Sequence, residues 1–262
     1  MVSRRNRYLI LALSVIISLA LVTIFYWLRR TPPSNHLRYF SNGFPHLLDL
    51  ETGEDAKIEN GTPRDIHTQH YPSPDGQWIA HWSIVKEWYW WKLELENISS
   101  GEVKKIGEFS ACDGTLSWSP DSGSFVIAYI ADPDDTPGID DTMRCEIFRY
   151  NLAAGDFTRL TTDNYSQVDP AFSPDGSKLV YSSSEDGYYR LYIMDLDTRD
   201  HKLLTPNSFG FRPAWSPDGQ WIAFMSNHER WNDDIYRIAP DGTGFQRLTT
   251  GDQPDDNPEW LP

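Results

Sequence analysis

Pro170-Ala-Phe-Ser-Pro-Asp-Gly-Ser-Lys-Leu-Val-Tyr-Ser182 returns as Pro213-Ala-Trp-Ser-Pro-Asp-Gly-Gln-Trp-Ile-Ala-Phe-Met225. Its central phrase stands again at Ser73 to Gly76 and, with Ser in place of Gly, at Ser119 to Ser122. Each long copy leads into an alternating stretch, Arg190 to Asp195 or Asp234 to Ala239, and ends in Lys202-Leu-Leu-Thr205 or Gln246-Arg-Leu-Thr249. Short apolar runs of period two, rich in aromatic and β-branched residues and broken by Pro, Asp and Gly, are strand signals. Each copy therefore predicts four strands, the content of one propeller blade.

The proline of the phrase serves as a ruler. It falls at Pro74, Pro120, Pro174 and Pro217, and Asn257-Pro-Glu-Trp-Leu-Pro262 repeats the phrase's opening and adds a fifth mark. The intervals of 46, 54, 43 and 45 residues match the ~40–45 residues of a four-stranded blade. Residues Leu37 to Glu54 align with Leu179 to Asp200 from a blade's second strand onward, and the C-terminus supplies the missing first strand. Stitching one blade from both ends pairs the last open edge of the sheet. The expected fold is all-β: a five-bladed β-propeller of four-stranded antiparallel blades over residues 36–262, closed by N- and C-terminal strands in one blade.

These repeats resemble the TolB-like, WD40-like propeller repeat (PD40) of bacterial periplasmic proteins and of prolyl-oligopeptidase-type propeller domains. The resemblance covers roughly residues 36 to 262. Two departures stand out: Tyr71-Pro72 replaces the usual aromatic before Ser, and TolB-like propellers usually have six blades. The resemblance implies a binding module outside the cytoplasm, with a part in envelope assembly or trafficking. TolB's separate N-terminal domain has no counterpart here, so a literal role in the Tol-Pal system does not follow.

Tyr8 to Leu28 is a run of 21 residues without a charge, which as a helix rising ~1.5 Å per residue just crosses a ~30 Å hydrocarbon core. The reading is a transmembrane helix over 8–28, after a cytoplasmic N-terminus of residues 1–7 and before a linker of residues 29–35. A cleaved signal peptide is the competing reading, although small residues stand only mid-run, at Ser18 and Ala20. Arg4, Arg5 and Arg7 outweigh Arg29 and Arg30, which places the N-terminus in the cytoplasm. The propeller is then expected on the extracytoplasmic side of the cell membrane. Thr31 to Asn35 would hold it close to the bilayer, since five residues span at most ~18 Å.

All 38 acidic residues and 18 of the 23 basic ones lie beyond Arg30, a formal −20. Nucleic acid is excluded as a partner by that sign. Cys112 and Cys145 both fall in the third blade, at strand starts on the same end of it. A disulfide is feasible there outside the cytoplasm; two independent thiols are the alternative.

In an up-and-down blade the first-to-second and third-to-fourth turns share one face. Here they are short and stereotyped, as in Glu51-Thr-Gly, Ser99-Ser-Gly and Ala153-Ala-Gly, so that face reads as structural. The other face receives the second-to-third loops and the connections between blades, where length and chemistry vary, and recognition is expected there. Its candidate ligand-binding residues are Trp88, Tyr89, Asp113, Asp134, Asp169, Tyr188, Arg212 and Trp231. Of the cluster Trp88 to Trp91, two rings are expected to be buried. Asp113, Asp169, Arg212 and Asn257 are expected at the channel rim, where they could grip a peptide terminus or a metal. Trp118, Phe172, Trp215 and Trp260 recur at one register, and Trp78, Phe125, Leu179 and Trp221 at another; both sets are expected between blades.

No cofactor is expected. Asp132, Asp134, Asp135, Asp140 and Asp141 could surround Ca²⁺, but the glycine and terminal glutamate of an EF-hand loop are missing. There is no Gly-x-Ser-x-Gly elbow and no His-Glu-x-x-His pair. The expected function is a non-catalytic, membrane-tethered scaffold that binds a protein or peptide through its loop-rich face. The alternatives are a carbohydrate-binding module built on Trp88 to Trp91 and Trp231, and a glycoside hydrolase using rim carboxylates.

Overall fold

The computed structural model describes residues 35–58, 68–86, 90–130, 144–227 and 232–261, all strand, turn and loop. The apolar run at 8–28, and with it the membrane-spanning reading, lies outside the described residues. Among those described, no helix is long and apolar enough to cross a membrane.

The chain forms five blades. Blade 1 holds β1 (His36–Ser41), β2 (Phe44–Asp49) and β3 (Asp55–Lys57), and its innermost strand is β19 (Asp255–Trp260) from the C-terminus. The pairing of β19 with β1 is antiparallel, from Leu37 opposite Trp260 to Ser41 opposite Asp255, so the ring closes as the sequence predicts. Blade 2 consists of β4 (Thr68–Pro72), β5 (Trp78–Lys86), β6 (Trp90–Asn97) and the first half of β7 (Val103–Trp118). The second half of β7 opens blade 3, which continues with β8 (Ser124–Ile130), β9 (Cys145–Asn151) and β10 (Asp156–Arg159). One strand thus belongs to two blades and fuses them into a seven-stranded sheet. Blade 4 is β11 (Gln167–Phe172), β12 (Lys178–Ser183), β13 (Arg190–Asp195) and β14 (His201–Leu203). Blade 5 is β15 (Phe211–Trp215), β16 (Ile222–Ser226), β17 (Asp234–Ile238) and β18 (Gln246–Arg247).

The Ser-Pro-Asp-Gly phrase is a self-contained turn. In all four copies the Ser hydroxyl donates to the Asp carboxylate at 2.6 Å, as Ser73 does to Asp75. The same hydroxyl accepts the amide that opens the second strand, for example that of Trp78 at 3.0 Å. The fourth residue lies at positive φ, +69° at Gly76 and +58° at Ser122, which favours glycine. Ser122 has a compensation: its hydroxyl accepts the Asp75 amide of the preceding blade at 3.0 Å.

Blades stack through alternating side chains. Val126 and Ile147 of blade 3 meet Leu179, Tyr181, Tyr192 and Met194 of blade 4. Val180 and Leu191 of blade 4 meet Ile222, Phe224, Tyr236 and Ile238 of blade 5. Ala223 and Ile235 of blade 5 meet Leu37, Tyr39 and Leu48 of blade 1. A second tie sits on the inner strands, where each indole Nε1 donates to a carbonyl of the blade before it: Trp118 to Tyr71 at 2.9 Å, Trp215 to Ala171 at 3.2 Å and Trp260 to Ala214 at 3.0 Å. Phe172 has no such donor, and there the Phe172 amide donates to Ser117 Oγ instead.

The first aromatic register is therefore inter-blade, as expected. The second is two registers. Phe125 and Leu179 share their place with Ile222, opposite the inner aromatic. Trp78 and Trp221 stand one residue earlier, with Ser124 and Lys178, and are only half-buried. Counting from Ser in each phrase shows the offset, which the eye loses when tryptophans fall at both places.

Cys112 and Cys145 form a disulfide across blade 3, with Cα atoms 6.1 Å apart. Of the aromatic cluster, Trp91 is buried and stacks on Trp82 at 5.9 Å between ring centroids, while Trp90 is half-buried. Trp88 and Tyr89 lie outside the described residues.

Candidate functional site

The five inner strands surround a central channel of about 980 Å³. Counting back four residues from each Ser of the repeat phrase, or from its counterpart Leu261, reaches Gln69, Thr115, Asp169, Arg212 and Asn257, and all five line the channel. They form a polar ring, one residue per blade, on the side where the inter-blade connections arrive. That side is the loop-rich face.

Three ring members have a shared cause for their position. Asp169, Arg212 and Asn257 each precede a proline and lie at φ of +52°, +50° and +53°. At each, the ladder to the neighbouring strand slips, between Val168 and Ala171, between Phe211 and Ala214, and opposite Arg38 and Phe40. A bulge of this kind re-aims a side chain out of the regular alternation. Left-handed backbone at three non-glycine residues is costly, and it recurs at equivalent positions of successive blades.

The three are also joined to one another. The Arg212 amide donates to Asp169 Oδ2 at 3.0 Å, and Arg212 Nη1 donates to Asn257 Oδ1 at 3.4 Å. A carboxylate, a guanidinium and a carboxamide from blades 4, 5 and 1 thus form one row around the rim. Glu259, the other carboxylate of the channel wall among the described residues, is ion-paired with Arg38.

Outside the channel, the loop-rich face carries exposed aromatics. Tyr188 is 59% exposed and packs edge-on against Phe209 at 5.4 Å. Tyr189 and Phe211 pair beside them at 5.3 Å, and exposed Tyr165 stands on the preceding connection.

Buried acids on this face belong to the scaffold. Glu146 accepts Arg159 Nη2 at 2.6 Å and the Thr161 hydroxyl, and Asp234 accepts Arg247 Nη2 at 2.6 Å. Burial pushes the Glu146 carboxyl above its usual range, against the pull of those partners. Asp255 is buried and raised, first by burial. Asp233 is raised by burial and then by Asp256 and Asp234. Thr161, Thr205 and Thr249 close blades 3, 4 and 5 by accepting the amides of Ile147, Leu191 and Ile235. Among the described residues no group of three His, Cys, Asp or Glu side chains is placed to hold a metal ion.

Of the candidates read from the sequence, the structure brings Asp169 and Arg212 together at the rim and leaves Tyr188 exposed on the same face. Blade 3 contributes Thr115 to the ring, where the sequence suggested Asp113. The slip there is longer, from Ala111 to Leu116, and shifts the ring position by two residues; the Asp113 side chain lies outside what is described. Trp88, Tyr89, Asp134 and Trp231 lie outside the described residues, as does the aspartate-rich stretch considered for Ca²⁺. Gln69, Thr115 and Phe209 were missed. The first two are found by counting back from the repeat phrase; Phe209 has no such signal.

Residues 141–262 match the TolB beta propeller domain family, PD40. The chain is 28% identical over 183 residues to the uncharacterized protein Atu1656 of Agrobacterium fabrum, and the match covers 69% of this chain and 58% of that relative's length. TolB from Acinetobacter baumannii superposes with a TM-score of 0.60 at 19% identity, over 90% of this chain and 69% of that one. An oligogalacturonate lyase solved in complex with manganese superposes with a TM-score of 0.53 at 18% identity, over 79% and 58%. At such identities the superpositions establish a shared propeller fold. The fold class is a five-bladed β-propeller.

Proposed function

We propose that this chain is a TolB-like, non-catalytic scaffold that binds an extended segment of a partner protein at the channel mouth and the loop-rich face around it. The observation that carries this reading is the Asp169–Arg212–Asn257 row. It offers a charged donor and amide groups within a wide opening, next to the exposed Tyr188 and Phe209 that could hold an apolar side chain. Paired aromatics beside fixed polar groups suit peptide recognition. The channel carboxylates support a binding role over hydrolysis, since Asp169 is engaged by the Arg212 amide and Glu259 by Arg38. The scaffold is tethered by residues 8–28 with the propeller outside the cytoplasm; the uncharged length of that run and the TolB resemblance support this placement.

The test is affinity capture from envelope extracts with the full-length chain, comparing wild type with Arg212→Ala, Tyr188→Ala plus Phe209→Ala, and Ile98→Ala on the opposite face. Loss of the same partner by both loop-face variants, with Ile98→Ala unchanged, is the expected result. Equal recovery by all of them overturns the choice of face.

A further inference from the structure

Three of the five blades present an apolar quartet to the blade before them, two residues from the second strand and two from the third. The quartets are Phe125, Ile127, Phe148 and Tyr150 in blade 3; Leu179, Tyr181, Tyr192 and Met194 in blade 4; Ile222, Phe224, Tyr236 and Ile238 in blade 5. Blade 1 keeps three of the four with Leu37, Tyr39 and Leu48, and has His46 at the fourth. At the same register blade 2 presents Ile79, His81, Glu94 and Glu96.

The facing side of blade 1 changes at one position, beside Phe40, Pro45 and Leu47. The position that is Ala80, Val126, Val180 and Ala223 in the other blades, each fully or almost fully buried, is Arg38 in blade 1, with 40% of its side chain exposed. The indole tie is also missing, because Pro72 occupies the place of Trp118, Trp215 and Trp260. Polar groups of blade 2 satisfy one another within the blade. His81 Nε2 lies 2.7 Å from Glu96 Oε2, His81 Nδ1 lies 2.8 Å from His70 Nδ1, and Lys92 pairs with Glu94 at 2.9 Å.

The channel follows the same asymmetry. Arg38 and Phe40 are the only second-strand side chains among the described residues that line it; every other lining residue comes from an inner strand or the turn after it. The cavity therefore reaches radially outward at this one place.

We propose that the ring opens at a single seam, between blade 1 and blade 2, and that this seam is a lateral way into the central channel. Separating the polar face of blade 2 from a blade 1 face in which Arg38 stands beside Phe40, Pro45 and Leu47 forfeits less apolar contact than parting any of the other four interfaces, where both faces are apolar. An extended segment bound in the channel can then be admitted sideways without being threaded from one end. That use rests on the function proposed above; the opening itself does not.

The chain's two cysteines are both in the disulfide, so a single introduced cysteine is a unique label. Ile79→Cys places it at the seam, and Leu179→Cys places it at the equivalent point of the blade 3 to blade 4 interface. Val180→Cys serves as a second apolar-interface probe if Leu179→Cys fails to fold. The full-length variants are labelled under native conditions with a small iodoacetamide and with a bulky polyethylene glycol maleimide.

The expected result is labelling of Ile79→Cys by both reagents at least a hundredfold faster than the apolar-interface probes. Adding Arg38→Val, His81→Phe and Glu96→Leu, which restores apolar side chains to the seam, is expected to slow Ile79→Cys labelling at least tenfold. Equal rates at seam and apolar interface, or bulky labelling indifferent to the three apolar replacements, overturn the proposal. No peptide enters this assay, so failure of the binding reading leaves its outcome unchanged.

Discussion

Trp260 Nε1 donates to the carbonyl oxygen of Ala214 at 3.0 Å, so a residue near the end of the chain is tied to the inner strand of the blade before it. The same tryptophan faces Leu37 across the closing pair of strands. One side chain thus serves both the closure of blade 1 and its attachment to blade 5.

Trp260→Phe removes the donor and keeps an aromatic ring, as Phe172 does naturally in blade 4. The expected loss is about 1 kcal/mol, the net worth of a neutral hydrogen bond. Trp260→Ala also leaves a cavity beside Leu37 and is expected to cost about 3–5 kcal/mol. Urea unfolding of the two variants beside wild type measures both.

The Cys112–Cys145 bond closes a loop of 33 residues within blade 3, for which chain entropy gives about 3–4 kcal/mol. Cys112→Ser with Cys145→Ser is expected to lower stability by that amount without opening the seam of the ring. Denaturation with and without reductant, compared with the double variant, reads the difference. A reductant effect that persists in the double variant would rule the bond out as its source.

Two non-glycine residues in tight turns make opposite predictions. Arg199 lies at φ +67° in the third-to-fourth turn of blade 4, where blades 1, 2 and 3 have Gly53, Gly101 and Gly155. Arg199→Gly is expected to stabilise by about 0.5–1 kcal/mol, the left-handed penalty less the greater freedom of glycine in the unfolded chain. Ser122→Gly relieves a similar strain but loses the bond from the Asp75 amide, and is expected to be neutral within about 0.5 kcal/mol. Thermal melts of the two variants separate these outcomes.

Acid should weaken the repeat turns. The Ser73, Ser119 and Ser173 hydroxyls, followed by backbone amides, hold Asp75, Asp121 and Asp175 below the usual carboxylate range. A folded value below the unfolded one means stability present above the unfolded pKa of about 4 and lost as pH falls through the folded value. Asp233, Asp255 and Glu146, raised by burial, work the other way: their contribution falls as pH rises from about 4 through their folded values. Asp175→Asn removes one of the depressed groups and is expected to narrow the gap in melting temperature between pH ~6 and pH ~2.5. An unchanged gap would show that this turn carboxylate does not couple to folding.

The repeat phrase, its spacing and the matching ends were legible because turn chemistry and period-two patterning are local. Ser73 bonds Asp75 and the Trp78 amide within six residues, whatever lies around them. The count of five blades, their closure by the last strand and the division into a stereotyped and a loop-rich face all followed, while the choice between a Cys112–Cys145 bond and two free thiols did not. The ring of the candidate site was only half legible: Asp169, Arg212 and Asn257 were in view, while Gln69 and Thr115 were not, because the ladder slips further in blade 3 than at those three and does not slip at all in blade 2.

What the chain determined by itself is therefore the blade and the number of times it is made, through contacts between residues close in sequence. Tertiary structure alone decided which surfaces meet. That His81, Glu94, Glu96 and Arg38 stand where other blades have apolar side chains is written in the sequence, but it acquires meaning only in register, once blades 1 and 2 are neighbours in a closed ring. Left-handed backbone before three prolines turns Asp169, Arg212 and Asn257 into one row for the same reason: their contacts join residues more than forty positions apart, and no local pattern specifies them.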